Sequence, residues 1–173
     1  KYVRQLKKSS PQNTLIVSGC DAHIEKETYM NMPEVDVVVG NDFKLDESIW
    51  AEIKKGGRSG FLGESVRTLK KEKTNILPNF TKSSRAYLEI QNGCNHSCTF
   101  CIIPQGRGLS KSVPMDTILE KIRNLVNKGF KEIVLTGVDI TCWGSDIAGN
   151  DRLGDLVNNI LNETPDLPRL RLS

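Results

Sequence analysis

Short apolar runs ending in glycine alternate along this chain with stretches of helical period, and that alternation limits the folds open to it. Thr14–Gly19 (TLIVSG) and Val35–Gly40 (VDVVVG) are the first two runs. A string of valines closed by glycine suits a strand buried on both faces, as in a parallel sheet. Residues 24–31 (IEKETYMN) read as helix, with Pro33 closing it. Leu45–Lys55 places Leu45, Ile49 and Ile53 on one helical face, with Gly56 and Gly57 as the stop. Further on, 86–91 (AYLEIQ), 131–137 (KEIVLTG) and 167–173 (LPRLRLS) read as strands. Between them lie two amphipathic helices. In Met115–Gly129 the residues Ile118, Leu119, Ile122, Leu125 and Val126 keep a period near that of a helix, and in Arg152–Glu163 the apolar face is Leu153, Leu156, Val157, Ile160 and Leu161. Strand, helix, strand, helix, strand is the pattern of an α/β fold with a parallel sheet.

The alternation breaks once. Residues 58–85 are rich in lysine, serine and glycine with little period, and we expect an exposed connection there, with Lys70, Lys71 and Lys73 solvated. The expected organisation is therefore 1–58, a linker at 59–83, and 84–173. The chain has 173 residues, a net charge of +3 and 38% hydrophobic residues, which is enough to build a core and only mildly attractive to a polyanion such as RNA. No apolar run is long enough to span a bilayer and no secretory signal is visible, so no membrane partner is expected. The start lacks an initiator Met and reads as the tail of a helix, and the end stops within a strand. Both suggest an interior fragment of a longer protein. Five cysteines, an odd number without export signals, argue against a disulfide framework and for a reducing, cytoplasmic setting.

Three of those cysteines, Cys94, Cys98 and Cys101, fall within eight residues, NGCNHSCTFCIIPQGRG, between a predicted strand and a predicted helix. In β/α folds binding sites collect at the carboxyl ends of strands. A structural zinc site would want four closed ligands, and His96 is available as the fourth, although chelation from between Cys94 and Cys98 is strained. A ferredoxin run would need a closer spacing and a further cysteine. The remaining option is a [4Fe-4S] cluster held by three thiolates, with one iron left without a protein ligand.

The C-x3-C-x2-C spacing with Phe100 before the third cysteine resembles the signature of radical S-adenosylmethionine enzymes. The flanks NGCN, CIIP with GRG, SVP before the helix, and KEIVLTGVD resemble, in that order, the methylthiotransferases of that superfamily. LIVSGCDAH and VDVVVGN resemble that family's amino-terminal domain, so the likeness covers nearly the whole chain, most weakly in the linker. It implies the rear of a Rossmann-like amino-terminal methylthiotransferase domain followed by the first strands and helices of a partial (β/α) barrel. A complete barrel needs about 250 residues.

The resemblance also implies the site. Cys94, Cys98 and Cys101 would hold the catalytic [4Fe-4S] cluster. Phe100, Gly137 and Asp139 would help seat S-adenosylmethionine, although TGVD keeps one glycine of the Gly-Gly-Glu motif that many relatives carry there. Cys20 would ligate a second, auxiliary [4Fe-4S] cluster that delivers sulfur and whose other two cysteines lie outside this chain, upstream of Lys1; the alternative is that the auxiliary site has been lost. Asp21 and His23 stand where tyrosine and glutamine are usual. EIVLTGVDIT, the Trp-Gly that follows and RLRLS look most like the branch that adds a methylthio group to C2 of N6-threonylcarbamoyladenosine in tRNA. The implied partners are the tRNA anticodon region, S-adenosylmethionine and an electron donor such as flavodoxin or ferredoxin. The alternatives are the isopentenyladenosine branch, the branch that modifies a ribosomal-protein aspartate, and a non-catalytic zinc-stabilised RNA-binding module.

Several of these residues also have plain structural readings. Cys20 alone, after an apolar strand, reads as a small core residue. Cys142 has no partner spacing, His96 reads as a polar loop residue and His23 as a helix-start residue. Arg107, in a Gly-flanked turn, contacts cofactor or RNA or is an ordinary turn arginine.

Overall fold

The computed structural model describes residues 1–41, 43–44, 46–57, 59–63 and 84–173. They fall into two compact units, 1–63 with 97–108, and 84–96 with 109–173. Among the described residues no helix is long and apolar enough to cross a membrane.

The first unit is built on three short parallel strands, β1 (Ile16–Ser18), β2 (Val37–Val39) and β3 (Gly60–Leu62), in the order β1-β2-β3. Val37 lies opposite Ile16 on one side and Gly60 on the other. All three β2 valines are buried because the central strand is covered on both faces. Helix α1 (Tyr2–Ser9) precedes β1, and the segment between β1 and β2 forms two short helices, α2 (Cys20–Ile24) and α3 (Lys26–Met30). The single helix expected at 24–31 is thus divided, and it starts earlier, at Cys20. Helix α4 (Glu47–Lys54) starts where the Asp46 carboxylate accepts from the Ser48 N–H at 3.0 Å, an N-cap. Its Ile49 and Ile53 pack against Val37 and Val39, as their spacing predicts; Leu45, assigned to the same face, lies outside the described residues. A short helix α5 (Ile103–Gly106) packs against α2.

Strand β3 comes from the stretch expected to be linker, and residues 64–83 of that stretch, with Lys70, Lys71 and Lys73, lie outside the described residues. Gly60–Leu62 has too few residues to show a period, and its strand state follows from the open edge of β2.

The second unit carries a four-stranded sheet in the order β5-β4-β6-β7, formed by β4 (Arg85–Asn92), β5 (Lys111–Ser112), β6 (Glu132–Gly137) and β7 (Arg169–Leu172). β4, β6 and β7 are parallel, joined through α6 (Met115–Asn127) and α7 (Leu153–Glu163). The second unit thus has the strand–helix–strand pattern of a partial (β/α) barrel, and the first is a small parallel α/β unit. One face of the sheet, with Ala86, Leu88, Ile90, Ile133 and Leu135, packs on Ile118, Ile122, Leu156 and Ile160 of the helices.

The two-residue β5 runs antiparallel to β4 and was not legible as a strand. Side chains fasten it: the Ser112 hydroxyl and N–H donate to the two Asp146 carboxylate oxygens at 2.5 and 2.8 Å, and buried Trp143 donates its indole N–H to Val113 O at 2.9 Å.

Candidate metal and cofactor site

The carboxyl ends of β4 and β6 are neighbours in the sheet, so the segments leaving them, Gly93–His96 and Val138–Asp139, share one end of it. Gln91 joins the two. It is fully buried, and its amide nitrogen donates to Gly93 O at 2.8 Å, Ser110 Oγ at 3.0 Å and Asn92 O at 3.1 Å. Its amide oxygen accepts from the Asp139 N–H at 2.8 Å. A buried amide with every group matched is rigid, because any alternative leaves polar atoms unpaired in the core. Gly137 is required beside it: a Cβ there would sit 2.9 Å from Gln91 Oε1 and 3.0 Å from Gln91 O.

Asp139, thus held by its backbone, turns its carboxylate toward the cysteine loop. Its Oδ2 lies 3.0 Å from His96 Nε2 and 3.9 Å from Cys94 Sγ, while Thr141 donates to Oδ1 at 2.8 Å. Hydrogen bonds from the Cys142 thiol and Thr141, with His96 alongside, hold this carboxyl below the usual aspartate range. The same contact pushes the Cys142 thiol up. Cys142, which has no partner by spacing, is therefore a partner of Asp139. The loop is secured further by Asn95, whose Oδ1 accepts from the Ser110 N–H at 2.9 Å.

Cys98 and Cys101 belong to the first unit, where Cys101 N–H donates to Cys98 O at 3.1 Å in a tight turn. Phe100 between them is 91% exposed, so its ring makes no packing contribution. Cys20 stands at the start of α2, close against α5: a Cβ on Gly106 would come within 2.8 Å of Cys20 Cβ. Asn41 bridges them, its side-chain nitrogen donating to Gly106 O at 2.5 Å and to Cys20 Sγ at 3.4 Å. Burial pushes the Cys20 thiol up, but hydrogen bonds from Arg107 and Asn41 and the charges of Arg107 and Lys44 outweigh it, so the thiol ionises below the ordinary cysteine range. His23 accepts from the Asn41 N–H at 3.3 Å and meets Phe61 edge-on, which places it inside α2 rather than at a helix start.

The structure therefore groups Cys94 with Asp139 and His96, and Cys20 with Asn41, Gly106 and Arg107. Gln91 and Asn41 were not singled out by sequence. The available signals were a Gln at the end of an alternating apolar strand and an Asn immediately after the Gly that ends one.

Whether these residues suit an iron–sulfur cluster is a question of donor chemistry. All five thiols are free, and Cys94, Cys98 and Cys101 are half-buried, exposed and half-buried. Thiolates are the donors such clusters take, and Cys94, Cys98 and Cys101 are free thiols close in sequence.

Residues 88–166 match the family model described as the radical SAM superfamily. The chain is similar to threonylcarbamoyladenosine tRNA methylthiotransferase MtaB of Rickettsia prowazekii, 42% identical over 171 residues that make up 99% of this chain and 40% of that protein. It is 32% identical over 175 residues to the MtaB of Bacillus subtilis, covering 38% of it. It is also similar to the ribosomal protein uS12 methylthiotransferase RimO of Clostridium botulinum, 38% identical over 157 residues, 89% of this chain and 35% of that protein. The chain thus spans about two fifths of the length of the curated relatives it matches.

Proposed function

The chain belongs to the methylthiotransferase family of the radical S-adenosylmethionine superfamily, and from that premise we propose that it serves a tRNA methylthiotransferase adding a methylthio group to C2 of N6-threonylcarbamoyladenosine. The observation that carries this reading is the C-x3-C-x2-C loop of free thiols at the end of β4, in a chain 42% identical to an MtaB.

Cys94, Cys98 and Cys101 would hold a [4Fe-4S] cluster. Bound there, the cluster would supply a low-potential electron for the reductive cleavage of S-adenosylmethionine. The chain's own part is placement. Gln91 fixes the first thiol's loop against the sheet, and Gly137 admits the close approach of the two strand ends. Asp139 presents a carboxylate beside Cys94, suited to the amino group of the cofactor's methionine moiety. Phe100, exposed on the loop, offers an aromatic face for the adenine. Cys20, with its acidified thiol, would ligate the auxiliary sulfur-donating cluster together with two thiols this chain does not contain. By this reading the 173-residue chain alone does not insert sulfur, its tRNA partner is read at the anticodon region, an external low-potential protein supplies electrons, and the setting is cytoplasmic.

The test is a whole protein carrying this chain, expressed in bacteria lacking their own methylthiotransferases, with tRNA nucleosides and ribosomal protein analysed by mass spectrometry. The expected result is the methylthio form of N6-threonylcarbamoyladenosine with the natural sequence, and none with Cys98→Ser. Modification of isopentenyladenosine or of a ribosomal-protein aspartate instead would overturn the substrate assignment.

A further inference from the structure

Within the second unit, Cys94 Sγ, His96 Nε2 and one Asp139 carboxylate oxygen lie within 4.8 Å of one another. The donors are a thiol, an imidazole and a carboxylate, a mixture that suits zinc and not a hard cation. A tetrahedral zinc ion with ordinary bond lengths separates neighbouring N and O ligands by roughly 3.4 Å, and S and O ligands by roughly 3.6 Å. The observed separations are 3.0 Å for His96 Nε2 to Asp139 Oδ2 and 3.9 Å for Cys94 Sγ to Asp139 Oδ2, each within a few tenths of an ångström of that geometry. Asp139 is prearranged for the role: its N–H is tied to Gln91 and its second oxygen accepts from Thr141. His96 is more than half exposed, so metal can enter from solvent. These three ligands leave the fourth position of a tetrahedral ion open.

We propose that, before cluster assembly, Cys94, His96 and Asp139 form an open zinc site on the second unit, mutually exclusive with the iron–sulfur cluster because Cys94 serves both. The exclusivity rests on the proposed role of Cys94 as a cluster ligand; the zinc site itself does not. This set differs from a zinc site of Cys94, Cys98, Cys101 and His96, because Asp139 replaces two of the thiols. Its consequence is an assembly checkpoint: zinc-loaded chain withholds the first thiol from iron until the metal leaves.

The experiment uses the full 173-residue chain, purified metal-free under reducing, anaerobic conditions, with Co2+ as the spectroscopic probe and Zn2+ as competitor. One equivalent of Co2+ should give the visible bands of a four-coordinate ion and a thiolate-to-cobalt charge-transfer band, both erased by Zn2+. His96→Ala and Asp139→Ala should each weaken Co2+ by at least about tenfold, whereas Cys98→Ser should leave the affinity unchanged. His96 is an exposed loop side chain, so His96→Ala should keep the natural circular dichroism spectrum, which separates loss of binding from misfolding. Absence of stoichiometric Co2+ binding, or loss of it with Cys98→Ser while His96→Ala still binds, would overturn the site. Iron and sulfide reconstitution separates the two readings. Zinc preloading should slow reconstitution of the natural chain and not of His96→Ala, and equal rates would overturn the checkpoint. If Cys98→Ser assembles a full cluster, the proposed ligand set fails while the zinc site stands on its cobalt spectra.

Discussion

Gln91 shows why a site can be half legible at the level of single residues. The thiols announce themselves by spacing, because thiols that share a cluster must be close in sequence or be brought close by the fold. An amide that positions them carries no such signature, and Gln91 reads as one more polar residue at a strand end. Only the structure shows that its four hydrogen bonds join the loop after β4 to the end of β6. Gly137, expected to help seat the cofactor, has Gln91 as its nearest neighbour, and a Cβ there would collide with it. Truncating Gln91 to Ala removes the acceptor of the Asp139 N–H and the donor to Gly93 O in a buried place. It should destabilise the second unit by about 2–4 kcal/mol, read by urea denaturation with loss of Trp143 burial as the signal. Gly137→Ala forces its Cβ against both the side chain and the backbone of Gln91 and should cost about 1–3 kcal/mol in the same measurement. A Gly137→Ala chain as stable as the natural one would show that the strand ends separate freely.

At the level of elements, the parallel strands were readable because burial on both faces leaves a nearly unbroken apolar run, as in Val37–Val39. β3 and β5 were not, since strands of three and two residues have no period and are defined by the partner they meet. The helices α6 and α7 were the clearest of all, because a face that must cover a sheet repeats its apolar residues over three turns. Polar ties between elements were invisible. Asp36, ahead of β2, accepts from the Lys7 ammonium of α1 at 2.7 Å and from the Leu15 N–H at 2.6 Å. The Lys7 hydrogen bond, then that of Leu15, hold its carboxyl below the usual aspartate range. A depressed carboxyl stabilises the fold fully above its unfolded value, and the contribution is lost as pH falls through the folded value. The tie should therefore be intact at neutral pH and fade below about pH 4. Because Asp36 is partly exposed, Asp36→Asn should cost only about 1 kcal/mol at neutral pH. The difference between natural and variant chains should shrink on acidification, followed by far-ultraviolet circular dichroism at several pH values. A difference that grows toward low pH would show the carboxylate to be unfavourable in the fold.

At the scale of the whole molecule the question is how much metal the chain can carry, and its thiols answer it. There are five, and all are free. Cys142 is engaged with Asp139, which raises it against ionisation. Cys20 is fixed by Asn41 and by the close contact of α2 with α5, alone among thiols of its own segment. A single thiol cannot replace the three that the proposed cluster with one open iron requires, and the proposal assigns those to Cys94, Cys98 and Cys101. Anaerobically reconstituted chain should therefore bind about four iron and four sulfide, the content of one [4Fe-4S] cluster. Cys20→Ser should leave that content unchanged, while Cys94→Ser, Cys98→Ser or Cys101→Ser should each remove most of it. Colorimetric iron and sulfide assays with Mössbauer spectroscopy would measure this directly. About eight iron per chain, or a Cys20→Ser chain that loses its iron, would mean that Cys20 anchors a cluster without the further thiols assumed for it, and the division of the five cysteines would have to be redrawn.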